Sequence, residues 1–574
     1  MKKLLAFSCL MCAATLSAAG PMGKGSLPPV FPKDVADKAQ FDTRTRAYVS
    51  PVRVMWTQNG ELIDGAQNLL LQGNGQATTA ATPKTVFTAK EGKRPSILLD
   101  FGREIHGGLQ FVTCIRASTK PVKVRVRLGE SVGEAMCNIT PENGATNDHA
   151  MRDYTIELPW LGVCEVGNSG FRFVRIDALD AKLELMNVLA VALYRDLKRG
   201  GSFRCSDERL NRIWETGAYT LLLNMQDYIY DGAKRDRLVW MGDLHPEICG
   251  ILSVFDDVSL IPASLDFVRD HTPLPRVMNN ITSYSLWWIV NQYEYYLHRG
   301  DLAYLQEQRA YLTGLLRQLE GYVNQDGSEM VPPRRFLDWP NNDNPVAMHA
   351  GLQGLLCRAF QCGAKLCGAL GIDASRPLEF ARRMMGHVPD CGDSKAAAAM
   401  LTLSGIADRS DVLARDPFRG VSTFYGYYML LAQPTAPALE LIRRFWGGML
   451  DYGATTFWED FDLDWLKNTS PISELPVPGK DDLHADFGKY CYRGLRHSLC
   501  HGWAAGPTPF LGERVLGVKF LEPGGRKVAV SPELCGLDFA EGSVPTPFGP
   551  VRVAASRSGR PEIDAPEGVE VVAG

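Results

Sequence analysis

An irregular segment near the middle of the chain concentrates acidic side chains, basic side chains and a tryptophan. It reads YDGAKRDRLVWMGDLHPE, from Tyr230 to Glu247, and shows neither the period of a helix nor the alternation of a strand. Asp231, Asp236 and Asp243 follow one another at intervals of five and seven residues. Carboxyl groups that the chain brings close together raise one another's pKa, and neighbouring cations keep some of them ionised. The segment therefore suits a reaction that needs one protonated and one ionised carboxyl group.

Hydrolysis of a glycosidic bond has that requirement, because one carboxyl group protonates the leaving oxygen and another assists the attacking water. Trp240 lies among the three aspartates, and an aromatic ring suits stacking on the face of a sugar. The alternative is a solvated loop in which Lys234, Arg235 and Arg237 form salt bridges with the acids. The charge pattern alone leaves both interpretations open.

A second acidic cluster, TTFWEDFDLDW, runs from Thr455 to Trp465 and places acids beside tryptophans. Its acids and tryptophans are Trp458, Glu459, Asp460, Asp462, Asp464 and Trp465. One interpretation is a carboxyl site, and the other is a capped helix start with acids in its first turn.

Two further motifs combine polar and aromatic side chains. RRFLDWPNND places Asp338 directly before Trp339, and RHSLCHGWAAGPTPFL places His497, His501 and Trp503 before a Gly/Pro turn. Both motifs are candidates for a site, although a single histidine is more often structural than catalytic.

The composition excludes several classes of function. The chain has 574 residues, which predicts two or three domains, and 45% of its residues are hydrophobic. Its formal net charge of −4 argues against general binding to nucleic acid or to an anionic membrane surface. The 14 cysteines are scattered without a CxxC pair, which argues against a zinc site and a disulfide-stapled fold.

The N-terminus, MKKLLAFSCLMCAATLSAAG, is typical of a secretory signal peptide. Two lysines precede a short apolar run and small residues follow, which predicts cleavage after Ala19 and a secreted or periplasmic protein. The alternatives are an uncleaved anchor, or lipid attachment at Cys9 or Cys12. No later segment is apolar enough to predict a membrane span in the mature chain.

The pattern along the chain predicts β, then α, then β structure. Residues 20–50 read as a linker or lead-in strand, and residues 51–200 as an N-terminal β-sandwich or jelly roll. ILLDFG, VKVRVRL and FRFVRI are its clearest strands. Residues 201–510 show helical periodicity, with Ser206 as the first N-cap, over a length that suits about twelve helices in a double ring. Strands return in residues 511–574, beginning with RVLGVKF.

These motifs together resemble the inverting α-L-rhamnosidases with a six-hairpin (α/α)6 barrel. That family carries approximately D-x-x-x-R-E-R-L-G-W-x-G-D, and residues 231–243 match its spacings and its R-L-x-W-x-G-D core. WEDFD is similar to the family's W-E-x-W-D, and LDW resembles its G-D-W. SLCHGWAAGPTPFL and VPTPFGPVRV are similar to stretches near the end of the barrel and in the C-terminal β-sandwich. The resemblance covers about residue 85 to the end.

The resemblance implies a multidomain fold, with an (α/α)6 barrel as the catalytic domain between N-terminal and C-terminal β-sandwiches, and a role for each matching residue. Asp236 falls at the general acid and Glu459 at the general base. Asp231 and Asp243 fall at carboxylates that hold rhamnose hydroxyls. The remaining implied sugar-pocket residues are Trp240, Asp338, Trp339, Trp458 and His501. The implied substrate is an oligosaccharide or polysaccharide, and no metal or other cofactor is implied.

The acid position departs from the family, which usually carries glutamate there. Asp236 is shorter by one methylene, about 1.5 Å, and a proton donor must reach hydrogen-bond distance of the leaving oxygen. The loop moves in, the substrate sits differently, or the acid role has been lost. We also expect Arg235 or Arg237 to pair with another carboxylate.

Two alternatives stay open at the level of sequence. The same fold acts on another deoxyhexose or on a uronic acid, whose carboxylate Arg235 or Arg237 would meet. In the second alternative, the chain is a catalytically degenerate carbohydrate-binding protein.

Overall fold

The structure, a computed structural model, describes residues 25–574 apart from 91, 116–117, 141 and 490–492. The predicted signal peptide, residues 1–19, lies outside the described residues. Within the described part of the chain, no helix has the length and apolar character needed to cross a membrane.

The first third of the chain forms one antiparallel sheet of nine strands. These are β1 (Thr45–Val49), β2 (Arg53–Gln58), β3 (Ile63–Asp64), β4 (Thr85–Thr88), β5 (Ser96–Thr113), β6 (Val122–Gly129), β7 (Asp153–Leu158), β8 (Val163–Ala178) and β9 (Lys182–Tyr194). Their order is β3-β4-β9-β5-β8-β6-β7, with β1 also on β9 and β2 also on β5. The strands predicted from ILLDFG, VKVRVRL and FRFVRI lie within β5, β6 and β8. Two short helices, α1 (Lys33–Ala36) and α2 (Val132–Met136), accompany this sheet.

The central part of the chain is helical, as the periodicity predicts. Its helices are α3 (Glu208–Asn224), α4 (Leu244–Val254), α5 (Leu260–Asp270), α6 (Thr282–Arg299), α7 (Leu302–Glu320), α8 (Pro345–Ala369), α9 (Ser375–Met385), α10 (Lys395–Leu403), α11 (Ser410–Ala414), α12 (Gly426–Leu431), α13 (Thr435–Asp451) and α14 (Pro507–Phe510). The prediction of Ser206 as the first N-cap is wrong by one residue. Asp207 caps α3 by accepting from the backbone N–H of Arg209, while the Ser206 hydroxyl accepts from the backbone N–H of Asp538.

The C-terminal strands form two small sheets, and one of them recruits a strand from before the helices. The remaining strands are β10 (Ser202–Cys205), β11 (Thr469–Ser470), β12 (Asp481–Asp482), β13 (Val518–Phe520), β14 (Lys527–Val530), β15 (Phe539–Val544), β16 (Val551–Ser556), β17 (Glu562–Asp564) and β18 (Glu570–Ala573). The sheets are β10-β15-β16-β17 and β13-β14-β18. RVLGVKF, predicted as a strand, is one only from Val518, because a π-helical turn occupies Leu511–Val515.

The helices pack through close approaches and large buried aromatic rings. Trp287, Trp288 and Trp446 are each at most 1% exposed in the helical core. Gly354 of α8 lies so close to α10 that a Cβ atom there would sit 2.6 Å from the Met400 carbonyl oxygen. The predicted site residues lie mainly in the loops between these packed helices. The packing of the helices therefore fixes the positions at which those loops begin and end.

Gly354→Ala is expected to lower the free energy of unfolding by about 1–3 kcal/mol, because the added methyl group meets backbone that cannot move aside. Gly368→Ala, on the same helix, is the matched control. A Cβ atom at Gly368 has no heavy atom within 4 Å, so alanine is expected to stabilise by about 0.5–1 kcal/mol. Urea denaturation of both variants measures the difference. Effects of the same sign would contradict the close packing of α8 on α10.

Candidate active site

The segment that carries the three aspartates is a folded loop between α3 and α4. Asp231 closes it, because its carboxylate accepts from the backbone N–H of Asp236 and from that of Leu238, each at 2.9 Å. Asp231 and Asp243 are each 4% exposed. The alternative of a solvated loop is therefore wrong, since the carboxyl groups are buried among helices rather than spread at the surface.

Three carboxyl groups predicted for the site surround the imidazole ring of His501, which is itself a predicted site residue. Nε2 of His501 lies 3.5 Å from Oε1 of Glu459, 3.7 Å from Oδ2 of Asp231 and 4.0 Å from Oδ2 of Asp243. His501 is held by its backbone, whose N–H donates to the Phe457 carbonyl, two residues before Glu459. The loops after α3 and α13 and the segment before α14 thus converge.

Glu459 is anchored on one side and open on the other. Its Oε2 accepts from the backbone N–H of Ser498 at 2.8 Å, and its backbone N–H donates to the Ser498 carbonyl at 2.9 Å. The Trp503 indole N–H donates to the carbonyl of Glu459. These contacts fix the side chain and leave Oε1 facing His501. The alternative for this motif also holds locally, because Asp462 caps a short 3-10 helix.

Burial governs the electrostatics of the cluster. Loss of solvent raises the pKa of Glu459 to about 8 and that of Asp231 to about 7, with Asp236 adding to both shifts. Burial also raises the pKa of Asp243 well above its usual value, despite the hydrogen bond from the Tyr284 hydroxyl. The same effect, together with the charge of Arg235, holds the pKa of His501 well below its usual value. The cluster is thus a set of carboxyl groups that gain protons easily around an uncharged imidazole.

Asp236 lies at the edge of this cluster and is more exposed than its neighbours. Its Oδ1 is 3.2 Å from Nη2 of Arg235 and 3.2 Å from Nε2 of His149. The sequence predicts that Arg235 or Arg237 pairs with a carboxylate other than Asp236, and the structure agrees only in that the charge of Arg235 also acts on Glu459. Arg235 contacts Asp236 itself and lowers the pKa of Glu459, whereas Arg237 donates to the carbonyls of Asn168 and His149.

The other predicted pocket residues have different surroundings. Asp338, Trp339 and Glu459 line a narrow cavity with an empty volume of ≈ 270 Å³, and burial raises the pKa of Asp338 to about 7. Trp240 packs edge-on against Tyr284, with ring centroids 6.1 Å apart. The Trp458 side chain is only 1% exposed and packs against Phe461 in the core.

Of the two histidines in the fourth motif, only His501 faces the carboxyl cluster. The ring of His497 packs against His484, and the backbone carbonyl of His497 accepts a hydrogen bond from Lys234. Sequence reasoning missed Tyr284 and His149. Tyr284 lies at the start of α6 and His149 between α2 and β7, and neither position carries a motif that would have singled it out.

Asp231, Asp243 and His501 also have the proximity of metal ligands, because their ligand atoms lie within 4.8 Å of one another. Backbone amides and the Tyr284 hydroxyl already engage the two carboxylates. Raised pKa values further disfavour the doubly ionised state that a hard cation needs. The arrangement suits hydrogen bonding to hydroxyl groups better than cation binding.

A buried ion-pair cluster joins this loop to the N-terminal sheet. Nζ of Lys234 lies 3.1 Å from Oε2 of Glu130 and 3.2 Å from Oε1 of Glu134, and donates to the carbonyls of Leu495 and His497. Burial alone would lower the pKa of Lys234, but the two glutamates raise it overall. Glu130 in turn accepts from Ser498, whose backbone N–H holds Glu459. The cluster therefore fixes both halves of the site.

Lys234→Met is expected to lower the free energy of unfolding by about 3–5 kcal/mol, because it removes the cation beside buried Glu130 and leaves Glu134 only its contact with Arg152. Lys33→Met is the matched control. Lys33 is 87% exposed and its partner Asp37 is 57% exposed, so the free energy of unfolding is expected to fall by no more than about 0.5 kcal/mol. Chemical denaturation reports both values. Equal losses would contradict the buried cluster.

Glu459→Gln is expected to be more stable than the wild type by a few kcal/mol at about pH 9 and equal to it at about pH 4. Between its ordinary pKa of 4.5 and about 8, the unfolded chain releases the Glu459 proton while the folded protein retains it. The wild type therefore loses stability as the pH rises through that window, and the glutamine variant does not. Glu474→Gln, at an exposed glutamate, is the control. A pH-independent difference would contradict the raised pKa of Glu459.

Comparisons with known proteins agree with these observations. Residues 198–353 match the family model of the bacterial α-L-rhamnosidase six-hairpin glycosidase domain. An α-L-rhamnosidase from Formosa agariphila is 25% identical over 310 residues, covering 46% of this chain and 30% of that protein. Another from Alteromonas sp. (strain LOR) is 22% identical over 542 residues, covering 82% of this chain and 54% of that protein. This chain thus spans at most about half the length of these relatives.

Solved structures show the same fold. The crystal structure of a GH78 family rhamnosidase from Bacillus sp. GL1 superposes with a TM-score of 0.70 at 22% identity, covering 88% of this chain and 55% of that one. That of a Streptomyces avermitilis α-L-rhamnosidase complexed with L-rhamnose gives a TM-score of 0.67 at 17% identity, covering 85% and 50%. The predicted resemblance to six-hairpin α-L-rhamnosidases is confirmed.

Proposed function

We propose that this chain, a relative of the six-hairpin α-L-rhamnosidases, is a glycoside hydrolase that releases terminal α-L-rhamnose from glycans with inversion. The observation that carries the proposal is the convergence of Asp231, Asp243 and Glu459 on His501, with Asp236 beside them. Sequence motifs from three separate loops meet there. A set of carboxyl groups with raised pKa values is the equipment that general acid–base hydrolysis of a glycoside needs.

Glu459 is the general base of the proposed reaction. Ser498 holds its Oε2, so Oε1 is the atom that takes the proton of the attacking water. A base works best when its pKa lies near the working pH, and a pKa of about 8 in the ligand-free site places Glu459 in that range. Ionisation of Glu459 is favoured by Arg235, whose charge lowers that pKa against the effect of burial.

The acid side of the site is Asp236, on the other edge of the loop. In an inverting enzyme the two carboxyl groups are about 6.5–9.5 Å apart, which leaves room for the water between base and sugar. Asp231 and Asp243 lie between the two sides and accept hydrogen bonds from rhamnose hydroxyls in the bound state. Trp240, Trp339 and Asp338 shape the pocket, with Trp458 behind it.

The fold in which this site operates is proposed to be an (α/α)6 barrel flanked by two β-sandwiches. Among the described residues between Glu208 and Phe510 there are twelve α-helices, the number that a double ring of six requires. The nine-stranded sheet and the two C-terminal sheets supply the flanks. Residues 51–200, 201–510 and 511–574 are the proposed domains, and strand β10 belongs to the third by pairing.

The proposed substrate is a rhamnose-bearing oligosaccharide or polysaccharide met outside the cytoplasm. The predicted signal peptide supports a secreted or periplasmic location, and the site contains the hydroxyl-binding carboxylates that a neutral sugar needs. A uronic acid is disfavoured, because Arg237 is engaged by two backbone carbonyls and Arg235 contacts Asp236.

Wild-type protein is expected to hydrolyse an aryl α-L-rhamnoside and to release the β anomer first, which NMR of the product distinguishes. Glu459→Gln and Asp236→Asn are expected to lower kcat by about 10²–10⁴, because each disrupts one of the two proton transfers. Glu474→Gln is the control for the substitution itself. Rhamnose binding without turnover, unchanged in Asp236→Asn, would support the catalytically degenerate carbohydrate-binding protein. Release of the α anomer would contradict inversion.

A further inference from the structure

A histidine from the N-terminal β region reaches the acid side of the site. Nε2 of His149 lies 3.2 Å from Oδ1 of Asp236, the same oxygen that Nη2 of Arg235 approaches to 3.2 Å. His149 is 87 positions away along the chain, on the segment between α2 and β7. One oxygen of the shortened acid thus has two nitrogen groups in contact before any substrate arrives.

His149 is held in place by charged neighbours on both sides. Nη2 of Arg237 donates to the His149 carbonyl at 3.1 Å, and Nη1 donates to the carbonyl of Asn168 at 2.8 Å. Asp148, whose Oδ2 is 3.7 Å from His149 Nε2, is itself paired with Arg496. Arg237 therefore fixes the backbone of His149 and Arg496 fixes the neighbouring Asp148, while Nε2 of the ring lies close to Asp236.

The ring also has access to solvent. The His149 side chain is 27% exposed, against 12% for Asp236. It lines an open cleft of ≈ 480 Å³ together with Met151, Tyr154 and Arg237. A group in this position exchanges protons with bulk water more readily than the buried carboxyl groups of the cluster do.

We propose that His149 is the proton donor of the reaction and that Asp236 is the carboxylate that orients it. The proposal rests on the proposed function and changes which atom delivers the proton. Of the two nitrogen groups in contact with Asp236, a guanidinium does not release a proton in proteins, whereas an imidazole exchanges one near neutral pH. An aspartate that holds an imidazole in one tautomer and orientation is an established arrangement for proton transfer.

The arrangement also accounts for the missing methylene at residue 236. A carboxylate one bond shorter than glutamate has lost about 1.5 Å of reach toward the leaving oxygen. An imidazole ring that enters from the β region restores a donor at that side without any movement of the loop. Asp231 fixes the backbone N–H of Asp236, so the loop itself is not free to advance.

In the proposed step, one proton is delivered to the leaving oxygen and another is taken from the attacking water. The proton on Nδ1 of His149, the ring nitrogen that does not face Asp236, passes to the glycosidic oxygen as the bond from that oxygen to the anomeric carbon breaks, and the bonding electron pair stays on the oxygen. A water molecule forms the new bond to the anomeric carbon from the opposite face and gives one proton to Glu459. His149 then takes up a proton from the cleft, and Glu459 releases its own to solvent.

The test compares His149→Gln with His271→Gln, a matched control at an exposed histidine that follows the C-terminal end of α5. With an alkyl rhamnoside, whose leaving oxygen needs a proton, His149→Gln is expected to lower kcat/KM by about 10²–10⁴. With a 2,4-dinitrophenyl rhamnoside, whose leaving group departs without one, the loss is expected to be less than about tenfold. Equal activity of His149→Gln and the control on the alkyl rhamnoside overturns the proposal. An equal loss on both substrates also overturns it, because it indicates a structural role.

A second measurement is independent of turnover. The ring proton signals of His149, assigned by their disappearance in His149→Gln, are expected to shift in Asp236→Asn and to stay in place in Glu474→Gln. Unchanged signals in Asp236→Asn would overturn the pairing. A wild type that hydrolyses no α-L-rhamnoside would refute the proposed function and the proton step with it, while the NMR comparison still decides the pairing. Thermal melting of each variant confirms that it is folded, and His149→Asn replaces the glutamine variant if that one is not.

Discussion

The buried ammonium group of Lys234 is the contact on which the site depends. It lies between Glu130 and Glu134 of the N-terminal β region and donates to the carbonyls of Leu495 and His497. A buried cation of this kind is stable only while its carboxylates are in place, so the β region cannot separate from the helical region without exposing unpaired charge. The loop between α3 and α4, the Ser498 segment and the sheet are therefore positioned as one unit.

That constraint allows the protein to bury further carboxyl groups at a cost in stability. Asp231, Asp243 and Glu459 all have pKa values raised by loss of solvent, which means that their ionised forms are disfavoured in the folded state. A folded core without function would avoid such a cluster. Its presence at the meeting point of three loops is typical of sites where perturbed pKa values serve proton transfer.

The β region also contributes directly to the site in this arrangement. His149 reaches Asp236 from the segment before β7, and Arg237 connects the loop between α3 and α4 back to that segment. The β region therefore contacts Asp236 directly and does more than pack against the helices. In the proposed proton step, this contact is the physical reason why residue 236 can be one methylene shorter than the glutamate that the family usually carries.

The sequence by itself determined the β-α-β order, the helical period and the carboxyl residues that meet in the site. It succeeded because spacing within one loop is covalent: Asp231, Asp236 and Asp243 stay near one another in any compact conformation of thirteen residues. Tertiary structure alone decided that His501, and not His497, faces the carboxyl groups, and that Trp458 is buried in the core. It alone brought Tyr284 and His149 to the aspartates, because those contacts arise from packing between elements far apart in the chain, which no local pattern of residues encodes.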